Sequence, residues 1–384
     1  MNLGDTPQEA EFRAEVRAWL EANAPTDLPE LVSPAALRDL PDVGAAKAWS
    51  AKLAEDGYAG LTWPAEFGGR GAPLSFQAIY LEEAAALQAP VHLAVIGLGM
   101  IGPTIIAHGT PEQKERHLAK ILSAEEIWCQ GFSEPGAGSD LAGVRTRAEL
   151  RDGVFVVDGQ KVWSSFAQIS DWCMLLARTD PDSERHDGLT MLLVDMRSPG
   201  VDVRPIKELT GDAVFNEVFY GDVEVPAANV LGEIGAGWSV AMTTLLHERA
   251  TLGFSLVGAL EAQLHRVVAL ARSRGVTNGR LADLLAREAI EVEALKLTNK
   301  RSLAQLEQTG VPGPEGSVTK LRWSESNQRL TALALELMGP EAAVADEEWR
   351  YQLLRSRANT IEAGTSEVLR NVIAERVLGL PRSR

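Results

Sequence analysis

Residues 154–163 read VFVVDGQKVW. An apolar run, an Asp-Gly pair and a second run ending in tryptophan predict a hairpin whose two-residue turn is Asp158-Gly159. Further strand candidates follow at 172–178, 190–196 and 216–225. Turn residues divide them and no helical period intervenes. A small all-β domain is therefore expected in the middle of the chain.

On both sides the texture is helical. Thr6-Pro7-Gln8-Glu9 is a capping box with proline at the first helical position, and Phe12, Val16, Trp19 and Leu20 follow at helical spacing. Thr110-Pro111-Glu112-Gln113 repeats that start signal ahead of residues 114–123. After the β region, residues 281–308 and 317–338 read as long helices separated by GVPGPEG at 310–316. The order is helices, β domain, helices, with boundaries expected at 1–125, 126–235 and 236–384.

The chain has 384 residues, 45% of them hydrophobic, enough for more than one core. A net charge of −16 argues against non-specific nucleic-acid binding and against adhesion to anionic lipid. Cys129 and Cys173 cannot build a disulfide framework, and neither sits at metal-ligand spacing with the six histidines. The N-terminus has no basic and apolar signal-peptide pattern, and no uninterrupted apolar run matches the thickness of a bilayer. A soluble cytoplasmic protein without a metal, nucleic-acid or membrane partner is expected.

Three stretches could carry chemistry. Residues 132–140 read FSEPGAGSD, where small residues let backbone N–H groups approach a ligand and Ser133 and Ser139 add hydroxyls. Residues 158–165, DGQKVWSS, place Trp163 and Ser165 at a strand end, suited to core packing or to stacking on a flat cofactor. Residues 357–370, RANTIEAGTSEVLR, put Gly364-Thr365-Ser366 before a helix expected over 367–378, whose free N–H groups would suit an anion or a carbonyl oxygen.

In this order and spacing, SEPGAGSD, DGQKVW and the tail GTSEVLRNVIAERVLGLPR resemble the acyl-CoA dehydrogenase family over nearly the whole chain. The resemblance implies a mainly α fold with a central β domain: an N-terminal helical domain, a middle β-barrel and a C-terminal four-helix bundle. It implies FAD, held by Phe132, Ser133, Gly138 and Ser139, flanked by Trp163 and Ser165, and met by Thr365, Ser366 and Glu367 at the last helix. Arg272 and Gly339 would serve the FAD of a neighbouring subunit, in a homodimer, homotetramer or heteromer. There the chain departs from the family pattern: Arg272-Ser273-Arg274-Gly275 lacks the usual Phe-Gly pair, and Glu336-Leu337-Met338-Gly339-Pro340 replaces Gln-x-x-Gly-Gly. Ser139, Arg249, Ala363 and Gly364 would contact an acyl-CoA substrate, and an electron-transfer flavoprotein would accept the electrons.

The reaction needs a carboxylate beside the α-carbon in a dry site. Most of the family carries it directly before the Gly-Thr of the C-terminal motif, where this chain has Ala363. Some members carry it on the first helix after the β domain, before an arginine. Residues 245–253 read LLHERATLG and place Glu248-Arg249 there, in a stretch otherwise free of charge from 238 to 260. Glu248 is the expected base, and Glu362 is the alternative. Desaturation of acyl groups on a carrier protein, a flavin monooxygenase activity, and a non-catalytic subunit of a heteromeric enzyme stay open as other readings.

Overall fold

The computed structural model describes residues 4–26, 43–309, 313, 316–343 and 347–382, with side chains for all of these except 248–252, 307, 309, 341, 343 and 347. The helices α1 (Pro7–Asn23), α2 (Val43–Glu55), α3 (Leu74–Ala86), α4 (Gly102–His108) and α5 (Pro111–Leu122) come first. The strands β1 (Trp128–Gly131), β2 (Arg147–Arg151), β3 (Val154–Ser165), β4 (Trp172–Arg178), β5 (Leu189–Asp195), β6 (Val201–Pro205), β7 (Phe215–Pro226) and β8 (Val230–Leu231) follow. The chain then returns to helix in α6 (Gly237–Ser273), α7 (Gly279–Thr309), α8 (Gly316–Met338), α9 (Glu347–Ser356) and α10 (Ser366–Val372). This is the mainly α fold with a central sheet that the sequence predicts. Most of the 310–316 break lies outside the described residues.

Both capping boxes form. The Thr6 N–H donates to Glu9 Oε2 at 2.8 Å and the Glu9 N–H to Thr6 Oγ1 at 3.3 Å. Thr110 and Gln113 make the same reciprocal pair at the start of α5.

The described residues form two compact units. One takes the stretches within Asn23–Ala72 and Ala89–Glu248 and contains the sheet. Its strand order is β6-β7-β3-β2-β4-β5-β8, with β1 parallel to β4. Side chains from seven strands share one interior, among them Cys129, Ala148, Phe155, Leu175, Val194, Val218 and Val230. Such convergence on a single core is barrel-like.

The hairpin differs from its expected place. β3 runs unbroken through Asp158-Gly159, and the turn sits one Asp-Gly earlier, at Asp152-Gly153, with φ of +49° and +83°. Two left-handed residues are what a type I′ turn requires. This pairing sends Ala148, Phe155 and Val157 into the core together. Asp158-Gly159 is a bulge, where the register of β3 against β7 shifts. Gly159 has φ +155°, and a Cβ there would stand 2.6 Å from Thr146 Oγ1 and 2.8 Å from Thr146 Cα. Gly159→Val is expected to destabilise the protein by about 2 kcal/mol or more through strain and overpacking. A thermal unfolding midpoint equal to that of the unsubstituted protein would contradict this.

The other unit takes the stretches within Met1–Ala22, Pro73–Gln88 and Arg249–Arg384. Phe12 of α1 stacks on Phe76 of α3 at 4.1 Å, and Arg13 and Arg17 both bond the buried Glu83. The C-terminal bundle uses α7, α8 and the later part of α6, with α9 and α10 packed on α8. Gly253–Ser273 of α6 is long and apolar enough to cross a membrane by length and composition. Its apolar seam, Val257, Leu260, Leu264, Val267 and Ala271, is instead buried among Val292, Leu295, Trp323 and Leu330. It is built as a bundle helix.

Candidate functional site

β1 ends at Gly131 and delivers the chain into FSEPGAGSD. Glu134 and Ala137 exchange both backbone hydrogen bonds at 3.0 Å and close the Pro135-Gly136 turn. The Val162 N–H donates to the Ser133 carbonyl at 2.9 Å, tying the loop to β3. Lys161, with no exposed surface, donates from Nζ to the Phe132 carbonyl at 3.0 Å and to Glu134 Oε1 at 2.8 Å. The Glu134 carboxylate also accepts from the N–H groups of Arg145 (2.7 Å) and Thr146 (2.9 Å). Burial alone would raise the Glu134 carboxyl, but the Lys161 charge and the donated hydrogen bonds hold it below the usual carboxylate range.

The loop that should carry the ligand is therefore locked from behind by a buried ion pair. The sequence reading assigned no role to Lys161 or Glu134. A signal existed in the strand alternation. Phe155 and Val157 point inward, and past the bulge Lys161 occupies the next fully buried position of β3. A lysine on a core face needs a partner.

β3 shifts register again between Lys161 and Ser164. Trp163 lies in this second irregularity with φ +62° and is 57% exposed. Phe215 meets it edge-on, with ring centroids 6.0 Å apart at 79°. A left-handed conformation is unusual for so bulky a residue and is found where structure over-determines it. Ser165 follows on the same strand. The hydroxyls of Ser133, Ser139 and Ser165 make no hydrogen bond among the described residues. A Cβ added at Gly136 or Gly138 would meet nothing within 4 Å, so the loop faces open space there. Buried Gln130 Nε2 and Ser164 Oγ also lack a partner. The structure thus brings Phe132 and Ser133 beside Trp163 and Ser165, with Gly138 and Ser139 further along the same loop.

The second set lies in the bundle unit. Ala363 (φ +48°) and Gly364 (φ +93°) are both left-handed, and Thr365 caps α10 by accepting from the Val368 N–H at 3.2 Å. Among the described residues the exposed Ala363 N–H has no acceptor. Ser366 is 4% exposed and its Oγ is unpartnered, while Glu367 is exposed. The helix expected over 367–378 is α10 continued by a wider π turn, Ile373–Val377. Glu362 is already engaged. Arg355 donates to both its oxygens at 3.2 and 2.8 Å, and Asn359 Nδ2 donates to Oε1 at 2.8 Å.

Arg272 is exposed in the last turn of α6. There the Gly275 N–H bonds the Arg272 carbonyl and the Val276 N–H bonds the Ala271 carbonyl, both at 3.0 Å, with Gly275 at φ +70°. This is a Schellman cap, which explains the glycine. Gly339, at φ +67°, begins the turn that ends α8. Neither residue bonds the 363–367 turn among the described residues. Glu248 and Arg249 lie within α6, and their side chains fall outside the described ones.

Three family descriptions span the sequence: the acyl-CoA dehydrogenase N-terminal domain over residues 6–125, the middle domain over 129–223 and the C-terminal domain over 235–378. The chain belongs to the acyl-CoA dehydrogenase family. Acyl-CoA dehydrogenase IpdE1 of Mycobacterium tuberculosis (strain ATCC 25618 / H37Rv) is 44% identical over 388 residues, covering 97% of this chain and 98% of the relative. A solved structure described as the Tcur3481-Tcur3483 steroid ACAD matches with a TM-score of 0.89 at 31% identity, covering all of both chains. The ChsE4-ChsE5 complex from Mycobacterium tuberculosis matches with a TM-score of 0.84 at 31% identity, again over the whole of both chains.

Acyl-CoA dehydrogenases are FAD-dependent flavoproteins, and this one is an enzyme of that class. The residues present fit the cofactor. A flat ring system with carbonyl and nitrogen acceptors suits the exposed Trp163 face and the free hydroxyls of Ser133 and Ser165.

Proposed function

We propose that this acyl-CoA dehydrogenase desaturates a bulky, steroid-derived acyl-CoA thioester to its trans-2-enoyl-CoA. The carrying observation is the full-length likeness to a structure described as a steroid ACAD. Bound FAD supplies the hydride acceptor, N5 of its ring.

Everything else falls to the chain. Glu248, set in an apolar helix, takes the α-proton, and desolvation makes its carboxylate a stronger base. The unpaired Ala363 N–H donates to the thioester oxygen as enolate charge develops there. Phe132, Ser133, Gly138 and Ser139 hold the cofactor and Ser139 also meets the pantetheine arm. Trp163 and Ser165 flank the ring. Thr365, Ser366 and Glu367 meet FAD at α10. Arg249 and Gly364 complete the substrate contacts.

Arg272 and Gly339 would serve a neighbouring subunit, and here the chain departs from its family. A second, different acyl-CoA dehydrogenase chain is the partner this supports, in keeping with relatives described as pairs. An electron-transfer flavoprotein takes up the electrons.

The test is a panel of acyl-CoA thioesters scored by anaerobic bleaching of the bound flavin, with the chain purified alone and together with a co-expressed partner. Ring-bearing acyl groups are expected to bleach at least about tenfold faster than straight chains, the scale of discrimination that an apolar pocket provides. Equal or faster bleaching by straight chains would overturn the substrate class. Bleaching by acyl carrier protein thioesters alone would overturn the CoA carrier.

A further inference from the structure

Lys320 sits on α8, in the interior of the bundle unit, and is only 7% exposed. Its ammonium donates to two main-chain carbonyls of one turn, Asn359 at 2.8 Å and Gly364 at 2.7 Å. These two atoms bracket Ala363. Between them the backbone passes through two consecutive left-handed residues, which short-range preference does not favour for alanine. Further side chains hold the turn: Arg355 and Asn359 fix the Glu362 carboxylate, and Asn327 Nδ2 bonds Asn359 Oδ1 at 2.7 Å.

We propose that Lys320 is a positioning residue for the dehydrogenation, fixing from behind the turn that aims the Ala363 N–H at the thioester oxygen. This rests on the donor role of Ala363 proposed above. A buried ammonium is an expensive group to place in a bundle interior. A merely structural tie between α8 and the turn could be made by an amide or a hydroxyl. The charge holds both ends of the turn with one centre, and the Ala363 N–H between them has no acceptor among the described residues. A donor to a developing oxyanion works only when it is held within tenths of an ångström before the reaction.

The test compares Lys320→Met with Lys320→Arg in the FAD-loaded enzyme. Loss of a single oxyanion donor lowers kcat by about 10²–10³, so misplacing one is expected to lower kcat by about 10–100-fold in Lys320→Met. KM for the saturated acyl-CoA should stay within about threefold, because the donor acts mainly in the transition state. A 3-oxoacyl-CoA, which ionises to an enolate when bound, should lose about tenfold more affinity than the saturated thioester. Lys320→Arg, which keeps charged donors, should recover most of the loss in kcat. A kcat for Lys320→Met within about twofold of the unsubstituted enzyme, or an equal weakening of both ligands, overturns the proposal. If Lys320→Met does not fold, Lys320→Gln carries the same ligand comparison with the same reading. Failure of the underlying reading looks different: the unsubstituted enzyme itself would not bleach with any acyl-CoA, or would bind the 3-oxoacyl-CoA without forming its enolate.

Discussion

Lys161→Met is expected to empty the enzyme of FAD and to destabilise the unit that contains the sheet. Lys161 has no exposed surface, and its Nζ holds the Phe132 carbonyl and the Glu134 carboxylate at 3.0 and 2.8 Å. Methionine preserves the apolar stem and deletes the charge. The Glu134 carboxylate is then buried without a cation, and breaking one side of such a pair costs about 3–5 kcal/mol. The sign with pH follows from Glu134, whose carboxyl is held below its ordinary value by Lys161 and two backbone N–H groups. That contribution is present in full above the ordinary carboxylate value and is lost as pH falls below it, through the lower value of the folded protein. In Lys161→Met the lysine's share of it is gone, so the variant should lose less stability than the parent as the solution is acidified. Glu134→Gln added to Lys161→Met should restore part of the stability, because the buried charge is gone. Normal flavin content in Lys161→Met, with an unchanged melting temperature, would refute the positioning role.

The second large effect concerns the base. Glu248→Gln should keep FAD and fold but lower dehydrogenation by several orders of magnitude, since the amide cannot accept the α-proton. Glu362→Gln should keep most of the activity. Glu362 is bound by Arg355 and Asn359, and a glutamine carbonyl can still accept from both. The pair is partly exposed, so its loss should cost at most about 1 kcal/mol. Position 363 has no acid to contribute, and its left-handed turn presents a peptide N–H instead.

The helix starts were legible in the sequence because a capping box is local chemistry, and both Thr6 and Thr110 form theirs. The hairpin was misplaced because two Asp-Gly pairs satisfy the same turn rule. The strand that pairs with β3 decides between them, and pairing is not a local property. Trp163 was legible as an aromatic at a strand end, but its exposure depends on a bulge that only the register against β7 creates. Lys161 with Glu134, and Lys320 with the 359–364 turn, join residues 27 and more apart in sequence. Such contacts appear only once strands and helices are packed. Glu362 shows the converse: its sequence position offers a spare carboxylate, and its hydrogen bonds show it already taken.

One carboxylate on α6, Glu248, is proposed to remove the substrate's α-proton. The measurement that reaches this step most directly is anaerobic mixing of the unsubstituted enzyme, Glu248→Gln and Glu362→Gln with the same acyl-CoA, following the flavin absorbance through a single turnover. Full bleaching with enoyl-CoA formed is expected in the first and third, and a flavin that stays oxidised in Glu248→Gln although that variant binds the thioester. Bleaching of Glu248→Gln at close to the unsubstituted rate would contradict the proposal.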